Sequence, residues 1–560
     1  IMPNNSEVYF SQVPRVDLQR SRFDRSFEYK TTLNASELIP VSWDDVNPGE
    51  TITMDFSHVT RMTTPIVPVM DEACLDVYAF FVPNRLIWEH WKEFCGENNQ
   101  THWEQPNQYT IPQITAPSGG WDVGSLADYL GVPTGIGNLS ISALPFRAYA
   151  QIYNDWFRST ALKDPCYITK GDSTTTGKNK DANYDYVTDT ECGAYPVKVA
   201  KYHDYYTSAL PEPQCGPDVR VPLGNTAPVV FGEGLDKPIS GSTYSWGTGY
   251  IGERAVGLKA SGDQFQQLKV GYYNTSTEQY DMQNLSNTKV NPLVVDLAEA
   301  TSATINQLRQ AFAVQRYYEA LARGGNRYVE ILDAVWHTKS PDATQQRAEY
   351  LGGKRFNINM EQVLQTSATD TTSPQGNTAA YSCTINSDDL LTYSSTEHGI
   401  LMVVVAIRTN HTYQQGLNKA WLRKKLFDFY TPQLANIGER EIRNIEIYAQ
   451  GSNVIDTDGN IVDDQVFGYQ EAWAEYRYKP NMVTGKLRST ATGSLDVWHY
   501  ADYYTQLPYL SGDWIDETDA NVYRTLAVQN EPQFVMDVYL KSIWTRPMPL
   551  NSIPGLMDHH

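Results

Sequence analysis

Residues 74–97, CLDVYAFFVPNRLIWEHWKEFCGE, carry the densest apolar pattern in the chain. From 75 to 82 the residues are mostly aromatic or β-branched, interrupted only by Asp76. A strand with one wet face would alternate, so this run predicts a strand covered on both faces. Pro83 ends it, because proline has no N–H for a ladder. Asn84 is placed to cap a following helix. Ile87, Trp88, Trp91 and Phe94 would share one face of that helix. Gly96 would close it in the left-handed conformation. Burying each large side chain contributes roughly 1.5–3 kcal/mol, so this unit is expected at the centre of the core.

Elsewhere the periodicities are shorter. Ile52, Met54 and Phe56 alternate with Thr51, Thr53 and Asp55, the period of a half-buried strand. Residues 144–157 predict a helix with Pro145 in its first turn and Phe146, Tyr149, Ile152, Tyr153 and Trp156 as a stripe. Residues 304–322 predict another, with a capping box at Thr304 and Gln307. Ile305, Leu308, Phe312 and Leu321 lie on one face of it, and Gly324 and Gly325 end it. Further strands are predicted at 328–332, 358–363, 400–407, 442–448, 471–478 and 534–540. Asp458-Gly459 signals a type I′ hairpin.

Polar stretches rich in Gly, Ser and Thr separate these elements at 98–137, 160–291 and 365–380. The middle one is too long for a connection and predicts a surface insertion. The first thirty residues predict an arm, since Arg15, Arg20, Arg22, Arg25 and Lys30 mix with Asp17, Asp24 and Glu28 without period. Many short strands with a few lone helices favour a mainly β sandwich or barrel over a parallel α/β sheet. No segment recurs at a period of 20–50 residues, which argues against a tail or fibre component.

Composition narrows the function. The 560 residues set an upper bound of three or four domains. The 44 basic and 65 acidic residues leave a net charge of −21. Coating nucleic acid runs on Lys and Arg, so that is not the main task expected here. The 37 Tyr and 13 Trp suit wet interfaces. The six cysteines form no C-x-x-C pair and predict free thiols. No window holds the 18 or so apolar residues of a membrane helix, and no leader pattern precedes the first strand.

Signatures of chemistry are sparse. Gly171 to Lys178, GDSTTTGK, has one residue too many for a phosphate-binding loop, and Asn179 follows its Lys. Asp456, Asp458, Asp463 and Asp464 lack the glycine and glutamate positions of a calcium loop. The ten histidines are scattered, and no G-x-S-x-G occurs. No cofactor or metal is expected. A glycosidase carboxylate pair depends on spatial separation alone and stays open. One basic cluster, Arg423, Lys424 and Lys425, sits beside Trp421, Phe427, Phe429 and Tyr430. Cations beside rings hold single strands, although a solvated charge run gives the same pattern.

Six segments taken together resemble the major capsid proteins of gokushoviruses, small icosahedral single-stranded DNA bacteriophages of the Microviridae. The longest is FDRSFEYKTTLNASELIPVSWDDVNPGETITMDFSHVTRMTTPIVPVMDEACLDVYAFFVPNRLIWEHWKEFCGE, residues 23–97. LPFRAYAQIYNDWFRSTAL, INQLRQAFAVQRYYEALARGGNRYVEIL, GGKRFNINMEQVLQTSAT, PNMVTGKLRSTATGSLDVWHYADYY and RPMPLNSIPGL follow in the family's order over nearly the whole chain.

The resemblance implies a single eight-stranded antiparallel jelly roll with large loop insertions. It implies a T=1 shell of sixty copies around a circular single-stranded DNA genome. A small basic DNA-packaging protein, a pilot protein and a bacterial surface receptor would be partners, with no membrane insertion. Assembly in the host cytoplasm and residence in the virion would follow.

On this reading 1–30 is the arm, 31–164 and 291–560 are the two parts of the jelly roll, and 165–290 is the threefold protrusion. The arm, 98–137 and 546–556 would contact other subunits. Arg15, Arg20, Arg22, Arg423, Lys424 and Lys425 would face the DNA. Tyr244, Trp246, Tyr250, Tyr272 and Tyr273 would face the host. The rival reading is a secreted β-sandwich that binds polysaccharide or hydrolyses glycosides.

Overall fold

The computed structural model describes residues 19–98, 108–219, 305–359 and 383–552, with isolated strands at 229–231, 256–260, 265–274, 279–284, 293–295, 362–364 and 378–381. The chain divides into two units, one of Ile1–Cys215 with Glu319–His560, the other of Gly216–Tyr318.

The first unit is organised by β1 (Ser21–Asp24), β2 (Phe27–Leu33), β3 (Ile39–Val46), β4 (Thr51–Met62), β5 (Ala73–Pro83), β6 (Glu349–Ile358), β7 (Thr384–Ser394), β8 (Gly399–Thr409) and β9 (Phe534–Arg546). One sheet runs β2–β9–β4–β7, with β1 continuing β2 along the same edge of β9. The other runs β6–β5–β8–β3. Every pairing in both sheets is antiparallel. Taking β1 and β2 as one interrupted strand, the order is first, eighth, third, sixth in one sheet and second, seventh, fourth, fifth in the other. That is the double Greek key of a jelly roll.

The sheets face each other across a core of Ile52, Phe56, Val538, Leu540 and Trp544 against Val77, Phe81, Val403 and Val405. The far face of β5 and β8 is covered too. Phe80, Val82, Ile400, Met402 and Val404 pack with Trp88, Trp121, Phe146 and Tyr149. The β5–β8 sheet is therefore a middle layer, which explains why its central strands read as unbroken apolar runs. β4 and β9 have one covered face and alternate.

Several elements depart from their predicted form. The helix after β5 is two short ones, Asn84–Ile87 and Trp91–Phe94, separated by Trp88 in extended conformation. The Trp88 indole N–H donates to Asp172 at 2.7 Å and its ring is wholly buried, so tertiary burial breaks the helix. Asn84 lies inside the first turn and caps nothing, while Gly96 is left-handed as expected. The helix Leu144–Ile152 widens into a π turn at Tyr153–Phe157. The helix Ile305–Gly324 forms where predicted, and its Thr304 cap lies outside the described residues.

The strand predicted at 328–332 is the helix Tyr328–Trp336, because Glu330 accepts the Arg327 N–H at 3.0 Å and closes its first turn. The strand predicted at 358–363 is split: β6 ends at Ile358, and Gln362–Leu364 pairs with Thr378–Tyr381. The strand predicted at 442–448 is Glu439–Arg443 followed by the turn Asn444–Ile447, where Glu446 accepts the Arg443 N–H. The strand predicted at 471–478 is Val466–Glu471 followed by the turn Ala474–Arg477. At Asp458-Gly459 only the glycine has positive φ, so the hairpin is not type I′. The Asp456 carboxylate instead takes the N–H groups of Asp458 and Asn460.

The domain boundaries move as well. Cys166, Val197 and Val199, assigned to the insertion, belong to the second core of the first unit, so the separate unit begins at Gly216. Within it, the described strands Val256–Ala260, Phe265–Asn274 and Gln279–Asn284 form an antiparallel sheet. Ile114, Trp121 and Leu126, inside the supposed contact loop 98–137, are buried in their own chain. The arm is part of the sheet from Ser21 onward.

Candidate nucleic-acid and assembly surfaces

A third, smaller core of Tyr205, Tyr206, Tyr413, Ile442, Ile447 and Phe467 supports the segment that carries the predicted basic cluster. The turn Lys419–Leu422 is capped by the Asn418 side chain, which accepts the Ala420 N–H at 2.9 Å. The next turn, Leu426–Asp428, is held by the Asp428 carboxylate, which accepts the N–H groups of Lys424 and Lys425 at 2.7 Å each. Those two bonds hold the Asp428 carboxyl below its usual range.

The turn separates the three cations. Lys424 and Lys425 are exposed. Arg423 folds inward: its side chain is 13% exposed, donates to Glu475 at 3.4 Å and lies 4.3 Å over the Tyr476 ring. Arg423 is thus a pin within its own chain, engaged by Glu475 and Tyr476, unlike the two exposed lysines beside it. Around the lysines stand Trp421 at 78%, Phe427 at 67% and Phe429 at 51% exposure. Behind them opens a cleft of about 550 Å³, lined among others by Lys419, Lys425, Arg440, Arg443, Glu446 and Glu475. Lys419 reaches Glu446 at 3.4 Å, and Arg443 reaches Glu441 at 2.8 Å. The Arg440 guanidinium rests 4.5 Å over Trp473.

The other predicted DNA-facing residues lie elsewhere on the first unit. Arg15 is outside the described residues. Arg20 is exposed and donates to the Gly49 carbonyl, and exposed Arg22 stands opposite Thr545 in the β1–β9 ladder. No ion pair or hydrogen bond among the described residues joins them to the 423–425 turn. Arg25, passed over as arm, has a structural task. It lies 4.9 Å over Trp544, with Arg546 4.4 Å over the same ring, and it pairs with Asp44 at 2.6 Å. Of the predicted host-facing residues, Tyr244, Trp246 and Tyr250 fall outside the described residues. Tyr272 and Tyr273 lie on the central strand of the second unit's sheet, opposite Asp281 and Tyr280.

Two buried ionic clusters escaped the sequence. Asp76 is bonded by Arg355 and Arg408 at 2.6 Å each and by the Tyr202 hydroxyl at 2.8 Å. His411 is bonded on both ring nitrogens, to Asp502 at 2.9 Å and Glu517 at 3.0 Å. Burial alone would lower its pKa, but the two carboxylates override it and push the imidazolium up to about 10. Burial would raise Asp502, yet His411 and Lys201 hold it well below the carboxylate range. Asn521 donates to Asp502 and Thr409 to Glu517, so both carboxylates are committed to structure. No His, Cys, Asp or Glu group among the described residues could hold a metal ion, and no described helix is long and apolar enough to cross a membrane.

An antiparallel jelly roll with long insertions is the architecture of viral capsid proteins, and also of lectins and cupins, so the role is decided by kinship and not by the fold alone. Comparison with known proteins gives the family: residues 11–556 match the capsid protein (F protein) family of phages, and the chain belongs to it. Capsid protein VP1 of Spiroplasma virus 4 is 40% identical over 564 residues, covering 99% of this chain and 98% of that protein. Capsid protein VP1 of Bdellovibrio phage phiMH2K is 39% identical over 554 residues, covering 98% and 97%. Capsid protein VP1 of Chlamydia phage 1 is 36% identical over 595 residues, covering 99% and 98%. The chain is a structural capsid protein of a bacteriophage and not a polysaccharide hydrolase.

Proposed function

We propose that sixty copies assemble into a T=1 shell around a circular single-stranded DNA genome in the cytoplasm of a bacterial host. Arg15, Arg20, Arg22, Lys424 and Lys425 face the genome. A small basic packaging protein neutralises most of the DNA charge, because a shell protein at −21 does not. A pilot protein travels with the shell. The unit Gly216–Tyr318, carrying Tyr272 and Tyr273, supplies host attachment at the threefold axes.

The observation that carries this reading is the jelly-roll strand order combined with a capsid-family match over 11–556. Small-angle scattering and electron microscopy test the shell. A lone globule of this length has a radius of gyration near ~24 Å, and a shell scatters as a body several times larger. Reversing the charges of Arg20, Arg22, Lys424 and Lys425 is expected to reduce DNA-filled particles while empty shells still form. Filled particles at the normal yield would overturn the interior assignment.

A further inference from the structure

We infer that the cleft behind the 423–425 turn is a binding site for single-stranded nucleic acid, in which Arg440 and the two lysines take backbone phosphates and Phe427 stacks on a base. The inference deepens the proposed genome-enclosing role and rests on it. Four observations carry it.

The acids of the cleft are already committed. Glu446 serves Lys419, Glu475 serves Arg423, Glu441 serves Arg443, and Glu439 serves Arg323. Asp428 is held by the backbone N–H groups of Lys424 and Lys425, and its charge is also felt by Lys425 and Arg440 without forming an ion pair. That leaves Lys424, Lys425 and Arg440 with no ion pair among the described residues. A local positive surplus on a chain of net charge −21 concentrates any polyanion here.

The cleft also holds donors without acceptors. Among the described residues, Arg423 Nε and Arg440 Nη1 are buried and have no hydrogen-bond partner. Arg440 is half-buried and lines the cleft, and a guanidinium matches the oxygens of a phosphate. Arg440 is held for that task by Trp473 under its face, and Arg423 is a positioning residue held by Glu475 and Tyr476.

Flat apolar surface flanks the cations. Trp421, Phe427 and Phe429 are exposed within nine residues that also hold Lys424 and Lys425. Stacking on such rings requires unpaired bases, which selects a single strand over a duplex. Lastly, the rings by themselves suit a protein contact as well as a base, and it is the two lysines that favour nucleic acid over a second copy of the chain. Lysine is depleted from the cores of protein–protein interfaces, whereas phosphate contacts are made of Lys and Arg.

The test uses the full-length chain with a labelled oligo(dT) and a duplex of equal length, titrated over a range of salt concentrations. Replacing Lys424 and Lys425 together by Gln is expected to flatten the log K against log salt slope by about 1.4, two single-strand phosphate contacts. R440Q is expected to flatten it by about 0.7. F427A is expected to weaken binding by about 5- to 150-fold with the slope unchanged. Circular dichroism checks that each variant is folded.

Three outcomes overturn the inference: variants that bind oligo(dT) as the unaltered chain does, a duplex bound as tightly as the single strand, or variants that bind normally but no longer form particles. The last would make the patch a contact between copies. Scattering from the unaltered chain reports shell formation separately, so failure of the assembly reading is distinguishable from failure of this site.

Discussion

Replacing His411 by methionine would leave Asp502 and Glu517 buried without the imidazolium that both now bond. The magnitude follows from the pKa. Raising a histidine from 6.5 to about 10 corresponds, at 1.36 kcal/mol per pH unit, to about 5 kcal/mol favouring the folded state. Because the folded value lies above the unfolded one, that stability is fully present below pH ~6.5. About 4 kcal/mol remains at pH 7, and it is lost as pH rises through about 10. Breaking a buried pair by removing one partner typically costs about 3–5 kcal/mol, in agreement. Lys201, 4.0 Å from Asp502, compensates only in part.

Denaturant unfolding of the unassembled chain at pH 6, 7 and 9.5 measures the effect. The expected result is a loss of about 3–5 kcal/mol for H411M at pH 6–7, shrinking toward pH 10. A second variant, with His411→Met, Asp502→Asn and Glu517→Gln combined, removes the histidine and both carboxylates it bonds, and should lack the loss of stability between pH 7 and 10 that the unaltered chain shows. A loss below about 1 kcal/mol for H411M, or a penalty that is the same at pH 6 and pH 9.5, would refute the assignment of a buried imidazolium.

Trp88→Ala should cost about 3–5 kcal/mol, since a wholly buried ring and its bond to Asp172 disappear together; denaturant midpoints read this directly. Asp76→Ala should cost a similar amount by leaving Arg408, only 13% exposed, without its carboxylate. Arg408→Met in the Asp76→Ala background should recover part of it, which a double-mutant cycle measures.

What could be read from the sequence followed the layering. The runs in β5 and β8 were legible because both faces are covered, and β4 and β9 because one is. β1 and β2 were overlooked although their pattern is present: Phe23, Phe27, Tyr29 and Leu33 face the core and alternate with Arg22, Asp24, Glu28 and Lys30, whose mixed charges read as an arm. The short turns at Asn444–Ile447 and Ala474–Arg477 were misread because one capping carboxylate, or one left-handed residue at Trp473, decides them. The basic cluster was visible as a run of charges. Its division was not, because Glu475 and Tyr476, which draw Arg423 inward, lie 52 and 53 residues further on. His411 carried no signal at all, since its partners are 91 and 106 residues away.

The position of β9 imposes an order of events. It is the last strand made, yet it fills the slot between β2 and β4, with Lys30 reaching Asp537 across 507 residues. At 5–20 residues per second, the early strands wait roughly 25–100 s for the one that joins them. Until then the edges of β2 and β4 are open and the face holding Ile52 and Phe56 is uncovered. A product terminated before β9 is made therefore leaves the slot between β2 and β4 unfilled and the wall of the brick open.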